Sequence, residues 1–184
     1  MNITCIGDSL TKGYGVAREY AWVTKLGEAL NCPVNNKGVV GDTTAGILSR
    51  FTRDVVNNQS THVILMAGSN DSIVGRSPRI IFNNIKKLID EAAANNITTI
   101  VLGAPKIHIE LASQLWDKRI DYEKSNEIIN GLNTLLKEYC LAQNITFLNL
   151  ATLIPVDTIY YTDGIHLSTQ GNELIFNKVK DKLA

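Results

Sequence analysis

The run Asn-Ile-Thr-Cys-Ile at residues 2–6, followed by Gly-Asp-Ser-Leu at residues 7–10, decides how this chain folds. The first run is short and rich in β-forming residues, and Gly7 stops it, which is typical of a buried strand. Residues 20–30 then carry apolar side chains at helical spacing, namely Trp22, Val23, Leu26, Ala29 and Leu30. The chain therefore begins with a strand, a polar loop and an amphipathic helix.

The alternation of strand and helix continues along the rest of the chain. Further strands are predicted at residues 34–39, 62–67, 98–102 and 146–150. Helices are predicted at residues 44–56, after Pro78, around residues 128–139, and after Ser168, which caps the last helix. Strands that alternate with amphipathic helices form a parallel sheet covered on both faces. The sequence therefore predicts an α/β fold, with long connections at residues 104–119 and 151–165.

Composition favours one domain and a small ligand. The chain has 184 residues, 45% of them hydrophobic, which is enough for one substantial core and a single domain over residues 1–184. Lys and Arg total 18, as do Asp and Glu, so no global field favours nucleic acid or an acidic membrane surface. We expect a small-molecule substrate as the partner, and the sequence leaves homo-oligomerisation open.

The three cysteines, Cys5, Cys32 and Cys140, are odd in number, widely separated and set in apolar stretches. This pattern suits buried reduced thiols better than a disulfide framework or a metal cluster. The first strand has no basic segment or long apolar segment before it, and no window is long enough to span a bilayer. We therefore expect a cytoplasmic protein without stable membrane insertion.

Four polar fragments, at residues 7–10, 41–42, 68–71 and 163–166, fall after predicted strands. The carboxyl ends of parallel strands form one rim, where ligands bind in open sheets. If the strand order is the common 2-1-3-4-5, Ser9 leaves the central strand, with Gly41 and Asn70 on the neighbours, each about 5 Å away. The fifth strand lies about 14 Å from the first, so the loop at residues 151–165 has to return His166 to the rim.

The residue types in these fragments match an acyl-transfer site. Ser9 is a candidate nucleophile, His166 the base that takes its proton, and Asp163 the carboxylate that orients the imidazole. The backbone N–H groups of Ser9 and Gly41 and the side-chain amide of Asn70 are candidate donors to an oxyanion. Glycine at position 41 leaves the backbone open to close approach. The pattern indicates hydrolysis of an ester or related bond through an acyl-enzyme, without a metal or organic cofactor.

These fragments, in this order along nearly the whole chain, resemble the sequence blocks of the SGNH-hydrolase (GDSL esterase/lipase) superfamily. The resemblance implies a flavodoxin-like, three-layer α/β/α sandwich with five parallel strands. It also implies that Ser9, Asp163 and His166 form a catalytic triad, and that Ser9, Gly41 and Asn70 form the oxyanion hole. The residues after the serine and those around Gly41 look most like small single-domain bacterial members, including thioesterase/lysophospholipase-type and acetylesterase enzymes.

Each fragment also has a purely structural interpretation. Gly41 could simply end a strand, Asp42 could cap the next helix, and residues 68–71 could form a polar turn into a helix. Asp163 and Gly164 form a common turn pair, and a single histidine usually lies on a protein surface. The shared order and the shared rim favour the catalytic interpretation over the separate structural ones.

Other polar residues are less favoured as catalytic groups. Asp8 and Asp71 are expected to hold local structure, and His62 is expected to pack. For His108 the sequence leaves two interpretations open, a solvent-facing position and a place in the wall of a substrate pocket. Apolar rim residues are open between a substrate pocket, lid packing and a dimer surface; they are Tyr14, Ile73, Val74, Ile107, Ile109, Leu111, Leu115 and Trp116.

The expected function is a serine esterase that hydrolyses small acyl esters or thioesters, with acetyl or short- to medium-chain acyl groups. An acyltransferase and a noncatalytic doubly wound binding domain are the alternatives, and the leaving group stays open between ester, thioester and sugar O-acetyl. A nucleotide-binding fingerprint is disfavoured because Arg18 stands where its third glycine belongs. The sequence also lacks a Gly-x-Ser-x-Gly elbow and a cluster of His and acidic metal ligands.

Overall fold

The structure is a computed structural model that describes residues 1–183, so Ala184, the last residue of the predicted domain, lies outside the described residues. Five parallel strands form one sheet in the order β2-β1-β3-β4-β5, which confirms the predicted order. The strands are β1 (Ile3–Gly7), β2 (Val34–Gly38), β3 (His62–Met66), β4 (Thr98–Gly103) and β5 (Thr146–Asn149).

Helices connect the strands, and each predicted helix is present. They are α1 (Ser9–Lys12), α2 (Trp22–Leu30), α3 (Thr44–Phe51), α4 (Ser69–Ile73), α5 (Pro78–Ala94), α6 (Ile109–Leu115), α7 (Tyr122–Ala142), α8 (Leu150–Leu153) and α9 (Thr169–Leu183). The short helices α1, α4, α6 and α8 are additional to the prediction. Where the sequence predicts one helix over residues 44–56, α3 ends at Phe51 and a π-helical turn follows at Thr52–Val56. Among residues 1–183, no helix is both long enough and apolar enough to cross a membrane.

Each face of the sheet carries its own hydrophobic core, because side chains alternate along the strands. On β3, Val63 and Leu65 point into one core, whereas Ile64 and Met66 point into the other. Helices α3, α5 and α7 cover the first core, and α2 and α9 cover the second. The fold is therefore the three-layer α/β/α sandwich that the sequence predicts.

The three cysteines are free thiols in this fold. Cys5 and Cys140 are buried as predicted, and burial raises the pKa of Cys140 to about 11. Cys32 departs from the prediction because it is only half-buried. It lies between α2 and β2, where it packs against the edge of the second core.

Candidate active site

The register of the sheet places the ends of three strands side by side. Gly7, the last residue of β1, lies level with the ends of β2 and β3. The segments that follow these strands carry Ser9, Gly41 and Asn70 at one rim. Gly68 has a φ of 116°, a left-handed conformation that turns the chain directly from β3 into α4 and keeps Asn70 at the rim.

The structure brings together the three residues that the sequence predicts as a triad. His166 Nε2 lies 3.0 Å from Ser9 Oγ, and His166 Nδ1 lies 2.7 Å from Asp163 Oδ2. Ser9 and His166 are both buried. An imidazole that contacts a hydroxyl through one nitrogen and a carboxylate through the other is arranged to take the hydroxyl proton.

A tight turn at residues 163–166, shortly before α9, holds Asp163 and His166 in place. Asp163 Oδ1 accepts hydrogen bonds from the backbone N–H groups of Ile165 at 3.0 Å and His166 at 2.7 Å. Gly164 has a φ of 90°, and a Cβ at this position would lie 2.3 Å from the backbone nitrogen of Ala112 in α6. Glycine is therefore required both by the left-handed backbone and by the close approach of α6.

These hydrogen bonds also keep Asp163 charged. Burial acts to raise its pKa, but the hydrogen bonds from the side chain and backbone of His166 outweigh burial. The pKa of Asp163 therefore lies below its usual value. An ionised carboxylate in this position stabilises the imidazolium that forms when the histidine accepts a proton.

Gly41 and Asn70 follow the two strands that flank β1. Gly41 adopts a φ of 77°, and beyond its two chain neighbours no atom of residues 1–183 lies within 4 Å of the place its Cβ would occupy, so backbone conformation rather than crowding favours glycine. Asn70 Nδ2 donates to the carbonyl oxygen of Asp42 at 2.9 Å. Because an amide nitrogen carries two N–H groups, one positions the side chain and the second is available to a ligand.

A buried arginine that the sequence analysis missed braces this rim. Arg50 in α3 donates to the carbonyl oxygens of Gly7 and Lys37, each at 2.9 Å. Its Nε donates to Asp42 Oδ2 at 2.8 Å. The guanidinium therefore ties the ends of β1 and β2 to the loop that carries Gly41. The sequence gives no signal for this role, because an arginine in a surface helix usually points to solvent.

Asp71 braces the same loop from the side of β3. It accepts hydrogen bonds from the N–H of Thr44 at 2.8 Å and from the Thr44 hydroxyl at 2.9 Å, and Arg76 donates to it at 3.0 Å. These contacts agree with the structural role expected for Asp71. Thr43 rather than Asp42 caps α3, and Asp42 pairs with the buried arginine instead.

Asp8 caps α1 from a buried position. Its Oδ1 accepts from the N–H of Leu10 at 2.9 Å, whereas its Oδ2 has no hydrogen-bond partner among residues 1–183. Burial raises the pKa of Asp8 to about 7 against the opposing effects of the Leu10 N–H and a charged His166, and the charges of Asp42 and Asp71 add to the rise. The cap agrees with the local structural role expected for Asp8.

Replacing Asp8 with asparagine is expected to make the free energy of unfolding less dependent on pH between about 4 and 7. Folded Asp8 keeps its proton up to about pH 7, whereas the unfolded chain releases it near the ordinary pKa of 3.8. The folded state binds more protons in this window, so its stability falls as the pH rises, by up to about 4 kcal/mol. Urea denaturation of both proteins at several pH values measures this. As the pH rises from about 4 to 7, the free energy of unfolding of Asp8→Asn should increase relative to that of wild type. If the difference in free energy of unfolding between the variant and wild type stays constant over this pH range, the prediction is wrong.

The two remaining histidines lie outside the triad. His62 opens β3 at the opposite rim, where its Nδ1 contacts the Thr61 hydroxyl at 2.9 Å. His108 is buried and caps α6 by accepting from the N–H of Leu111 at 3.4 Å, so the solvent-facing interpretation of His108 is wrong. Within residues 1–183, no group of three or more His, Cys, Asp or Glu side chains is placed to hold a metal ion.

The apolar residues of the rim divide into packing residues and exposed residues. Ile107 is buried in a small core against α6 and α7, and Ile73 and Ile109 pack against it. Tyr14 and Trp116 are half-exposed, and their rings contact the imidazole of the predicted base with centroid distances of 4.6 and 5.4 Å. The two aromatic rings therefore lie beside the predicted base.

Fold and site together define a class of protein, an α/β sandwich with a Ser-His-Asp arrangement at the carboxyl rim of its sheet. The GDSL-like Lipase/Acylhydrolase family matches residues 5–174, and the chain belongs to this family. The resemblance that the sequence fragments carry is thereby confirmed.

Curated relatives and solved structures agree with this placement. An arylesterase from Vibrio mimicus is 28% identical over 120 residues, which cover 61% of this chain and 60% of the relative. Esterase TesA from Pseudomonas aeruginosa is 27% identical over 103 residues, which cover 53% of this chain and 51% of the relative. A member of the lipolytic protein G-D-S-L family from Veillonella parvula has the same fold, with a TM-score of 0.84, 24% identity and coverage of 98% and 97% of the two chains. The chain thus spans about half to three-fifths of the length of these curated relatives.

Proposed function

We propose that this protein is a serine esterase that hydrolyses small acyl esters or thioesters, with acetyl or short- to medium-chain acyl groups. The observation that carries the proposal is the chain of contacts from Ser9 Oγ through His166 to Asp163, at 3.0 and 2.7 Å. Family membership supports it, as do the names of the relatives, an arylesterase and an esterase. We assign the activity to a single domain over residues 1–184.

In the proposed reaction, Ser9 attacks the ester carbonyl while His166 Nε2 takes the hydroxyl proton. A bond forms between Ser9 Oγ and the carbonyl carbon, and the proton passes from Nε2 to the leaving-group oxygen as the ester C–O bond breaks. Water then attacks the acyl-enzyme with the same histidine as base, which releases the acid and restores Ser9. Asp163 stays ionised because its pKa is lowered, and it stabilises the imidazolium in both steps.

The negative charge that develops on the carbonyl oxygen is assigned to three donors. They are the backbone N–H groups of Ser9 and Gly41 and the Nδ2 of Asn70. Arg50 and Asp71 hold the donor segments by hydrogen bonds that exist before a substrate binds. Donors fixed in advance need no reorganisation in the transition state, which is the source of their catalytic effect.

Replacing Asn70 with alanine is expected to lower kcat by roughly 10²- to 10³-fold, because one oxyanion donor is lost. The fold should persist, since the half-buried side chain gives up one hydrogen bond, to the carbonyl of Asp42, at a cost of about 1 kcal/mol. Steady-state hydrolysis of p-nitrophenyl acetate measures the effect. Asn58→Ala is the matched control, because it removes an equally half-buried amide that bonds Thr4 at the opposite rim. An unchanged rate in Asn70→Ala would place the third donor elsewhere.

Active-site labelling tests the proposal without knowledge of the natural substrate. A fluorophosphonate should modify Ser9 in the folded protein, as located by peptide mass spectrometry, and should not modify it after denaturation. A noncatalytic binding domain predicts no labelling in either state. The ratio of acid to transesterified product in the presence of added alcohols separates a hydrolase from an acyltransferase.

The expected partner is a small-molecule ester, and a panel of acetyl, butyryl and octanoyl esters and thioesters would define the preferred acyl group. The balance of 18 basic and 18 acidic residues gives no overall attraction to nucleic acid. The three free thiols support a reducing compartment. A cytoplasmic location stays a prediction, and homo-oligomerisation stays open.

A further inference from the structure

A cleft lies between α7 and the edge strand β5. It consists of two adjoining cavities of 440 and 390 Å³, whose walls share Lys137, Leu141, Asn149 and Thr152. No residue of the predicted triad or oxyanion hole lines either cavity, and β5 is three strand spacings, about 14 Å, from β1. We propose that this cleft binds a small amphiphilic anion, with a carboxylate or phosphate head group and an apolar tail. Binding at the cleft is separate from the proposed hydrolysis.

The end of the cleft near the carboxyl rim of the sheet carries two lysines. Lys106 follows β4 and is half-buried, and the Tyr161 hydroxyl fixes its backbone by donating to its carbonyl oxygen at 2.8 Å. Lys137 reaches the cleft from α7, as does one acidic residue, Glu138. Two positive charges against one negative charge favour an anion. Neither cleft lysine is in an ion pair; among residues 1–183, the lysines in ion pairs are Lys25, Lys86 and Lys124.

Asn149 adds an amide whose orientation is fixed before a ligand binds. Its Oδ1 accepts from Asn133 Nδ2 at 3.2 Å and from the N–H of Ala151 at 3.1 Å. Asn133 is itself buried and donates to the carbonyl oxygen of Ala104 at 2.9 Å. Both contacts of Asn149 use Oδ1, so its Nδ2 keeps two N–H groups without a partner among residues 1–183. A carboxylate or phosphate oxygen is a suitable acceptor for this amide and the two ammonium groups.

The other end of the cleft is apolar. Ile145 and Phe147 line it from the first part of the edge strand, and Leu141 lines it from α7. Leu141 is 79% exposed, the highest value among the exposed large hydrophobic side chains of residues 1–183. An apolar tail over these side chains would remove hydrocarbon surface of both partners from water. Because Lys137 lines both cavities, one ligand can place its head group and its tail in the cleft together.

Backbone amide shifts of ¹⁵N-labelled protein test the proposal, because they report where a ligand binds as well as its Kd. Octanoate and octyl phosphate are the probes, and both should shift the signals of Asn149, Ala151 and Thr152 to saturation. The tighter of the two identifies the head group. Butyrate should bind roughly tenfold more weakly than octanoate because its tail is shorter. 1-Octanol should also bind roughly tenfold more weakly, because it has no charge to pair with the lysines.

Asn149→Asp separates the free amide donor from the fold. The aspartate keeps an oxygen that accepts the N–H of Ala151 and so still caps α8, but it replaces Nδ2 with a negatively charged oxygen. The Kd for octanoate is therefore expected to rise roughly tenfold or more. Lys106→Met and Lys137→Met should each raise this Kd roughly threefold. Lys87→Met is the matched control, because it removes an exposed lysine of α5 outside the cleft and should leave the Kd unchanged.

Leu141→Ala tests the apolar end in the same way. The side chain is exposed, so its loss should not disturb the fold, and the amide spectrum checks this directly. The variant should bind octanoate roughly threefold more weakly and butyrate as tightly as wild type, because only the longer tail reaches Leu141.

The proposal is wrong if neither acid shifts the cleft amides, or if the shifts are confined to the amides around Ser9 and Gly41. It is also wrong if 1-octanol binds as tightly as octanoate, or if the Asn149→Asp variant binds octanoate as tightly as wild type, since the anionic head is then not recognised. Equal Kd values for butyrate and octanoate would exclude a role for the apolar end and replace the amphiphile with a simple anion. The measurement involves no hydrolysis, so its outcome does not depend on whether Ser9 is a nucleophile.

Discussion

Ser9→Ala protein is expected to hydrolyse p-nitrophenyl acetate roughly 10⁴- to 10⁶-fold more slowly than wild type. Ser9 Oγ is the atom that His166 Nε2 contacts at 3.0 Å, so its removal leaves the base without a hydroxyl to activate. The proposed oxyanion donors stay in place, and the residual rate should therefore reflect water attack on a bound and polarised ester. Initial rates at saturating substrate measure kcat directly, and the same sample should no longer react with a fluorophosphonate.

The loss has to be separated from unfolding, and the chain offers a matched serine for this purpose. Ser72 in α4 is 1% exposed and its hydroxyl donates to the carbonyl oxygen of Ser69 at 2.7 Å, so Ser72→Ala removes an equally buried hydroxyl that does not face His166. Each substitution removes one hydrogen bond and should cost about 1 kcal/mol of stability. Thermal melts of the two variants should therefore be similar, whereas hydrolysis and labelling should be lost in Ser9→Ala alone. Retained turnover in Ser9→Ala would refute the assignment of the nucleophile.

Much of the fold could be predicted because its periodic signals are strong. The apolar run at residues 62–67 becomes β3, whose side chains fill the cores on both faces of the sheet, and such runs are typical of buried parallel strands. Pro78 begins α5 and Ser168 precedes α9, as their capping preferences predict. These signals are local, so a single sequence contains them.

The arrangement of the candidate site could be predicted from strand order and strand spacing. A central first strand puts Ser9 between the segments of Gly41 and Asn70, and the distance to β5 requires the chain to return before His166 can reach Ser9. The structure has this return at the turn around Gly164, which packs against α6. The geometry is in place; the catalytic roles of these residues stay proposals.

Features that depend on tertiary contacts could not be predicted. α6 has seven residues, too few for a helical periodicity to be recognised, and it is fixed by its contact with the turn at Gly164. Arg50 is buried because it satisfies backbone carbonyls at the ends of two strands, which no local pattern records. The stacking of Tyr14 and Trp116 on His166 likewise brings together segments that are far apart in sequence.

Two charged residues of the rim, Arg50 and Asp71, are engaged in holding the loop between β2 and α3. Arg50 and Asp71 hydrogen-bond to this loop from opposite sides, at Asp42 and Thr44 respectively. A loop held from both sides keeps the Gly41 N–H in one orientation, and an oxyanion donor is effective when its orientation is fixed before the reaction. Asp71, which the sequence analysis expects to be structural, and Arg50, which it misses, therefore support the proposed site indirectly.

His166→Ala is the second substitution with a very large expected effect, a loss in kcat of roughly 10⁴-fold or more. Without the imidazole, no other side chain of residues 1–183 hydrogen-bonds Ser9 Oγ to accept its proton, and the proposed proton donor to the leaving oxygen is lost. The residual rate should therefore rise steadily with hydroxide concentration, because attack then depends on alkoxide or hydroxide formed in solution. A pH-rate profile of the variant beside wild type measures this.

The strongest test of a shared role for Ser9 and His166 is a double variant. The losses in kcat of the two single variants should not multiply in it. If Ser9 and His166 act in one proton transfer, as proposed, Ser9→Ala/His166→Ala protein should be about as slow as either single variant. If the double variant instead loses the product of the two factors, the residues act in separate steps, and the 3.0 Å contact between Ser9 Oγ and His166 Nε2 is not the catalytic one. A His166→Ala variant that keeps more than about a tenth of the wild-type kcat would assign the base to another group, because general-base catalysis alone contributes about 10²-fold or more.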